Sequence, residues 1–378
     1  MQRSAGHDGE HPGKDAAFAD TVVVSAVNDP IAHRAVADTV AATGSGTEPS
    51  RRTASPATTV LPRFEVGGDG SAIAWEARPR YAATKLLGEG GMGTVELAQD
   101  QDIVRQVALK RIRPEIAGGA GLARFVDEVR TIGKLEHPNI VPIHDVGVDD
   151  EGRYFFVMKY VEGETLETVI ERLAAGDAEA HRRYTFETRV QIMIGLLRAL
   201  AFAHDRGIIH RDVKPANVMV GRYGEVVLMD WGIAREISGE DPALTREPKT
   251  DAAGVEPSGE AARRRLVQTA QAEIVGTPAY MAPEQAEARP DLDARCDLYS
   301  ASVVFYELMT LRHYVSNAAS VSEMLTAVIE REPPHPMSSA YSHPTQGPIP
   351  AEHIHFIREG MSKDRDRRFS SAQAMIAR

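Results

Sequence analysis

A chain of 378 residues with 43% hydrophobic and 26% charged residues has the composition of an ordinary water-soluble protein, long enough for two or three domains and a sizeable core. Its net charge of −11 excludes a non-specific nucleic-acid binder, whose footprint would be basic. A single cysteine, Cys296, excludes an intrachain disulfide and a cysteine-based zinc site, and suits a reducing, cytoplasmic setting.

Residues 1–75 are rich in Ala, Thr, Ser, Gly, Asp and Pro and nearly free of aromatics, so they offer little apolar surface to offset the entropy of ordering. They read as a mostly disordered arm, interrupted by the cluster Val22–Val27 and a short helical stretch from Ile31 to Val40. His7 and His11 sit four apart, but the neighbouring glycines and Pro12 break any helix that would align them. No signal pattern is present, and no apolar run reaches the length of a membrane span. The composition changes at Trp75 to Tyr81, where a domain boundary is expected, and a folded domain over 81–378 follows.

The first motif is Leu87-Gly88-Glu89-Gly90-Gly91-Met92-Gly93-Thr94-Val95, whose glycines let backbone N–H groups approach a polyphosphate. Glycines in this spacing also occur in dinucleotide folds, where a helix follows at once. Here Thr94 to Ala98 and Arg105 to Lys110 alternate as strands, so a glycine-rich hairpin is expected instead. Arg124 to Leu135 carries helical apolar spacing, and Tyr154 to Tyr160 reads as a buried strand. Val190 to His204 reads as a buried helix ahead of His210-Arg211-Asp212-Val213-Lys214-Pro215-Ala216-Asn217. An acid, a lysine and an asparagine within six loop residues suit a phosphoryl group. Asp212 can accept a hydroxyl proton, Lys214 can neutralise a phosphate and Asn217 can offer a carbonyl oxygen to a metal. The strand Glu225 to Met229 leads into Asp230-Trp231-Gly232. A stretch over 238–270, rich in Glu, Pro, Gly, Ala and Arg, reads as a disordered insertion ahead of Gly276 to Glu284. Arg295 opens a helix running through Met309, and Lys363 to Phe369 is a charge run.

The order of these motifs resembles bacterial serine/threonine protein kinases of the Hanks type, over about Tyr81 to Arg378. The resemblance implies an α+β bilobal fold, with a small antiparallel β lobe over 81–161 and a larger, mainly helical lobe over 162–378. It makes Lys110 the lysine on the α- and β-phosphates and Glu128 its ion-pair partner. ATP would lie against Leu87, Gly88, Gly90, Gly93, Val95, Ala108, Met158 and Met219, with backbone hydrogen bonds to adenine from Tyr160 and Val161. Lys159 departs from the acidic residue common there. Asp230 joins Asn217 in holding Mg2+, with Mn2+ as a substitute; Asp212 would orient and deprotonate a serine or threonine, and Lys214 would sit on the γ-phosphate. Trp231 replaces the usual Phe. Thr269 is expected as an activating phosphosite, its phosphate paired with Arg211 and Arg235, ahead of Thr245, Thr250 and Ser258. Thr277 belongs to the end of the activation segment, Glu284 would pair with Arg368, and Asp297 would anchor the catalytic loop. Ala301-Ser302 stands where a glycine is frequent. The expected activity is signalling phosphorylation of protein Ser/Thr, with a homodimer for trans-autophosphorylation. Competing readings are a silent nucleotide-binding scaffold, which would lack Lys110, Asp212 or Asp230, and a small-molecule phosphotransferase, which would lack Ala282-Pro283-Glu284. The end at Arg378 falls early in the last helix, which suggests a longer parent protein.

Overall fold

The computed structural model describes residues 58–61, 63–67, 70–74, 78–90, 93–116, 119–232, 235–236, 278–318, 320–336 and 341–378, within a compact unit spanning Ala54–Arg378. The arm upstream of residue 58, the insertion over 238–270, and Thr269 and Thr277 lie outside the described residues.

Two strands lie within the stretch that composition assigns to the arm. Strands β1 (Arg63–Gly67) and β2 (Gly70–Ala74) pair antiparallel, with Gly67 opposite Gly70. Their alternation is local, and averaging over the whole polar arm hides it. Just upstream, the Asp102 carboxylate accepts the backbone N–H groups of Val60 and Leu61 at 3.0–3.1 Å, and Thr59 donates to the Arg78 carbonyl. The folded part therefore begins well before Trp75.

The small lobe is a five-stranded antiparallel sheet in the order β3-β4-β5-β7-β6: β3 (Tyr81–Glu89), β4 (Gly93–Asp100), β5 (Arg105–Ile112), β6 (Ile143–Val148) and β7 (Tyr154–Lys159). Alternation decides the faces. Val107, Leu109, Phe155 and Val157 build a small core on one side, while Ala108, Lys110, Phe156 and Met158 face the other. Gly93 is needed for the sheet itself, because a Cβ there would lie 2.0 Å from the Arg111 carbonyl oxygen. Helix α1 (Gly119–Gly133) covers the second face, burying Phe125 and Ile132 together with Phe156.

The large lobe follows strand β8 (Gly163–Thr165). Helices α2 (Leu166–Ala174), α3 (Ala178–Arg183) and α4 (Phe186–His204) come next, the last capped by the Thr185 hydroxyl and starting four residues before the expected Val190. Gly195 sits in mid-helix, at a cost of about 1 kcal/mol against alanine. A Cβ there would be 2.8 Å from that of Val226, so the glycine lets α4 lie directly on a strand. Strand β9 (Ile208–Ile209) pairs with β12 (Arg235–Glu236), and β10 (Val218–Gly221) pairs with both β8 and β11 (Val226–Leu228). Helices α5 (Pro283–Ala286), α6 (Arg295–Thr310), α7 (Val321–Glu330), α8 (Ala351–Gly360) and α9 (Ala372–Ala377) complete the lobe. Along α6 every residue from Cys296 to Thr310 is buried except Glu307, as expected of a helix at the centre of a lobe.

Candidate active site

Both lobes contribute to one cleft. Lys110, on the α1-facing side of β5, places its ammonium 2.6 Å from Glu128 Oε1 and 3.7 Å from Asp230 Oδ1. Burial alone would lower the Lys110 pKa, but Glu128 and Asp230 outweigh it and hold the pKa above the usual lysine range. Asp230 is reached through β11 and adopts φ 59°. Its carboxylate remains 43% exposed. Burial works against its charge, yet chiefly Lys110 keeps its pKa below the usual carboxylate range.

The catalytic-loop candidates meet as a cluster. Lys214 Nζ lies 2.6 Å from Asp212 Oδ2, and Asn217 Nδ2 donates to Asp212 Oδ2 at 3.0 Å and to its carbonyl at 2.9 Å. Met229, just before Asp230, donates its N–H to the Asn217 carbonyl, which fastens the end of β11 to the loop. His210 was not assigned a role by sequence reasoning, although it stands in the motif. Its Nδ1 accepts the Asp212 N–H, its Nε2 bonds the Met229 carbonyl, and its ring meets buried Trp231 edge-on at 4.5 Å. One imidazole thus references Asp212 and Asp230 to each other.

Asp297 holds this loop from below, as the resemblance implied. Fully buried at the start of α6, it accepts the N–H groups of His210 and Arg211 at 2.8 Å each, and His204 Nε2 lies 2.8 Å away. Burial would raise its pKa; the His204 bond and the loop N–H groups hold it below the usual carboxylate range. A depressed folded pKa stabilises the fold above the unfolded value of about 4, and the benefit is lost as pH falls through the lower folded value. In urea titrations from pH 5 to pH 2, the wild type should therefore lose stability more steeply than Asp297→Asn. Parallel curves would remove this account.

Met158, Met219, Val141, Val161 and Val227 form one apolar cluster, with Ala108 directly opposite Met158 in the sheet ladder. Val95 stands opposite Lys110 on the same face. Tyr160 is half-buried beside them, Val161 is buried and Lys159 is exposed. Gly90 and Gly93 close the β3–β4 hairpin through backbone bonds, and a Cβ at Gly88 or Gly90 would meet nothing within 4 Å. Leu87 sits at an irregularity in the β3–β4 register and is exposed. Val95 and Ala108, on adjacent strands, thus lie between this apolar cluster and the glycine turn, and among the described residues nothing crowds Gly88 or Gly90.

For a metal, the donors present are the Asp230 carboxylate and the Asn217 carbonyl oxygen. That side-chain Oδ1, distinct from the backbone carbonyl bonded by Met229, accepts from no described residue, while the amide nitrogen is committed to Asp212. Two hard oxygen donors suit a divalent cation that takes its remaining ligands from phosphate and water.

At the far side, Arg368 forks onto buried Glu284 at 2.6 and 2.8 Å. Gln285 Nε2 donates to the Arg211 carbonyl, tying α5 to the catalytic loop. Arg235 enters β12 opposite Ile209, and its side chain lies outside the described residues. Among the described residues, no helix is long and apolar enough to cross a membrane.

The family model described as the protein kinase domain matches residues 81–377. The chain is 31% identical over 303 residues to the serine/threonine-protein kinase PknD of Protochlamydia amoebophila, covering 78% of this chain and 29% of that protein. It is 33% identical over 305 residues to the probable serine/threonine-protein kinase PknB of Bifidobacterium longum, covering 78% and 38%. It is also 33% identical over 295 residues to the serine/threonine-protein kinase PknB of Mycobacterium tuberculosis, covering 76% and 38%. The chain thus spans about a third of the length of these relatives.

Proposed function

The chain belongs to the protein kinase family, and on that premise we propose that it transfers the γ-phosphoryl group of ATP to serine and threonine hydroxyls of proteins. The observation that carries this is the meeting of Lys110, Glu128 and Asp230 across the cleft, with Asp212, Lys214 and Asn217 complete beside them. A silent nucleotide-binding scaffold would have lost one of these groups.

Phosphoryl transfer asks little covalent chemistry of a protein and depends on positioning and charge. Lys110, kept cationic by Glu128, sets the α- and β-phosphates, while Tyr160 and Val161 offer backbone groups to the adenine edge. Val95, Ala108, Met158 and Met219 wall the ring. Asp212 receives the acceptor hydroxyl's proton, and Lys214 sits within reach of both that carboxylate and the γ-phosphate oxygens. Mg2+, for which Mn2+ can substitute, would be held by Asn217 and Asp230; when bound it neutralises charge on the transferring group.

Radiolabelled ATP with a generic protein acceptor tests this directly. The wild type should label serine and threonine, and EDTA should abolish the signal. Asn217→Ala should need about 10–100-fold more Mg2+ for half-maximal rate, in the range seen when a metal's supporting contacts are lost. An unaltered Mg2+ requirement would remove Asn217 from the metal site. Labelling that survives in Asp230→Asn at the wild-type rate would overturn the mechanism. Trans-autophosphorylation by a homodimer, and activation through Thr269 with Arg211 and Arg235, fit the same reading.

A further inference from the structure

The peptide unit joining Arg211 to Asp212 is gripped at both ends, by one side chain near in sequence and one far away. Its N–H donates to His210 Nδ1 at 3.2 Å. Its carbonyl accepts from Gln285 Nε2 at 3.0 Å, across 74 residues of sequence. Arg211 itself adopts φ 66°, in the left-handed region that residues with a Cβ seldom occupy, and its own N–H is tied to Asp297 Oδ1 at 2.8 Å. A strained setting of this kind persists only where the surroundings over-determine it. Here the strain falls on the residue just before the proposed base, so whatever fixes the Arg211 carbonyl also aims Asp212.

The bonds on the Asp212 carboxylate come from Lys214 and Asn217, which belong to the same loop and turn with it. Gln285 stands outside that loop. It is the third residue of α5, and its Oε1 accepts the N–H of Ala282, the residue that precedes the helix, at 3.1 Å. These two bonds leave one orientation for the amide, since the oxygen must face an N–H and the nitrogen a carbonyl. One half-buried side chain thus spans from Ala282 to the Arg211 carbonyl. Glutamate reaches as far but lacks the donor at neutral pH, and methionine lacks both groups.

We propose that Gln285 is a positioning residue for phosphoryl transfer, holding the Arg211–Asp212 peptide so that the base meets the acceptor hydroxyl. The inference rests on the kinase reading and deepens it. Because Gln285 acts through the peptide of Asp212 and not through Lys110 or Glu128, its loss is felt in turnover while ATP binding is untouched.

The test compares the full wild-type chain with Gln285→Met and Gln285→Glu, by labelling of a saturating generic protein acceptor, by ATP titration and by amide hydrogen exchange. Gln285→Met should lower kcat about 10–100-fold, the scale set by a misplacement on the order of an ångström, with the Kd for ATP within about twofold of wild type. Exchange at the Arg211 and Asp212 amides should quicken in the same variant, with that of α6 unchanged. Gln285→Glu keeps the bond to Ala282 but faces the Arg211 carbonyl with a carboxylate, so at pH 8 its kcat should lie near that of the methionine variant. On protonation the carboxyl gains an O–H that donates to that carbonyl, and both half-burial and this bond favour the neutral form. Its kcat relative to wild type should therefore climb as pH falls from 8 to 5.5, a recovery that loosened packing cannot give. A methionine variant with kcat within about threefold of wild type, a glutamate variant equal to wild type at pH 8, or an ATP Kd that rises in step with the lost rate, overturns the role. A wild type that labels no acceptor would overturn the kinase reading, and the exchange rates would still decide whether Gln285 holds the peptide.

Discussion

Asp212→Asn is expected to lower kcat by about 10²–10⁴-fold, the usual worth of a positioned base, with the Kd for ATP held within about twofold because the change removes a group used only during transfer. The geometry explains the split. Asp212 Oδ2 is fixed by Lys214 Nζ and Asn217 Nδ2, and the residue's backbone by His210 Nδ1. An asparagine can turn its carbonyl oxygen to the same two donors and so preserve the loop, but it cannot take up the acceptor proton. Lys110 and Glu128, which would hold ATP, are untouched. Single-turnover labelling together with nucleotide titration reads both quantities. A kcat within about threefold of wild type would mean that the acceptor loses its proton elsewhere, and Asp212 would be reduced to an orienting group.

How far the chain could be read in advance depended on whether a residue's partner is announced by a motif. Lys110 with Glu128, Asp297 with the catalytic loop, and Glu284 with Arg368 all meet as the family resemblance implied, although 84 residues separate the last pair. Periodicity placed the buried helix α4, but its start at Phe186 depends on the Thr185 cap, a local hydrogen bond that apolar spacing does not report. The departure at Ala301-Ser302 is understandable only in three dimensions. A Cβ on Gly360 would fall 2.0 Å from Ser302 Oγ, so the small residue at this crossing sits on the opposing helix. Trp231 keeps the expected aromatic plug and packs on His210, while no hydrogen-bond partner for its indole N–H occurs among the described residues. Glu307, which accepts the Tyr280 hydroxyl, carried no signal, and Tyr280 stood in the run from Gly276 to Glu284 without an assigned role. A lone glutamate near the end of an apolar helix reads as a solvated position until the fold shows what surrounds it. Thr269 and Thr277 remain sequence readings, since the segment between Glu236 and Pro278 lies outside the described residues.

The largest loss of stability is expected from Arg368→Ala. Arg368 is fully buried and Glu284 is 5% exposed, so the pair is shielded from water and weakly screened by salt. The guanidinium also donates to the carbonyls of Ser362, Arg295 and Lys363, and lies over the Tyr299 ring at 4.8 Å. Truncation therefore strands a buried carboxylate and three acceptors at once. Breaking such a pair costs about 3–5 kcal/mol, a large part of the 5–15 kcal/mol that a domain has in total, and should lower Tm by roughly 10 °C or more. Arg368→Lys should recover only part of this, because an ammonium cannot fork onto both oxygens while reaching the carbonyls. Replacing both partners by methionine should cost less than Arg368→Ala, since no unpaired charge remains. If the double variant were instead the worst of the three, the carbonyl contacts rather than the ion pair would hold this corner. The consequence for activity should be specific, because Glu284 is the second residue of α5, close after the Pro278–Tyr280 turn, and the next residue, Gln285, bonds the Arg211 carbonyl. Below the melting range, Arg368→Lys should raise KM for a protein acceptor several-fold while KM for ATP stays level, the pattern expected when only one substrate's binding surface loosens. Equal effects on both substrates would mean that the damage spreads through the lobe to the nucleotide cleft.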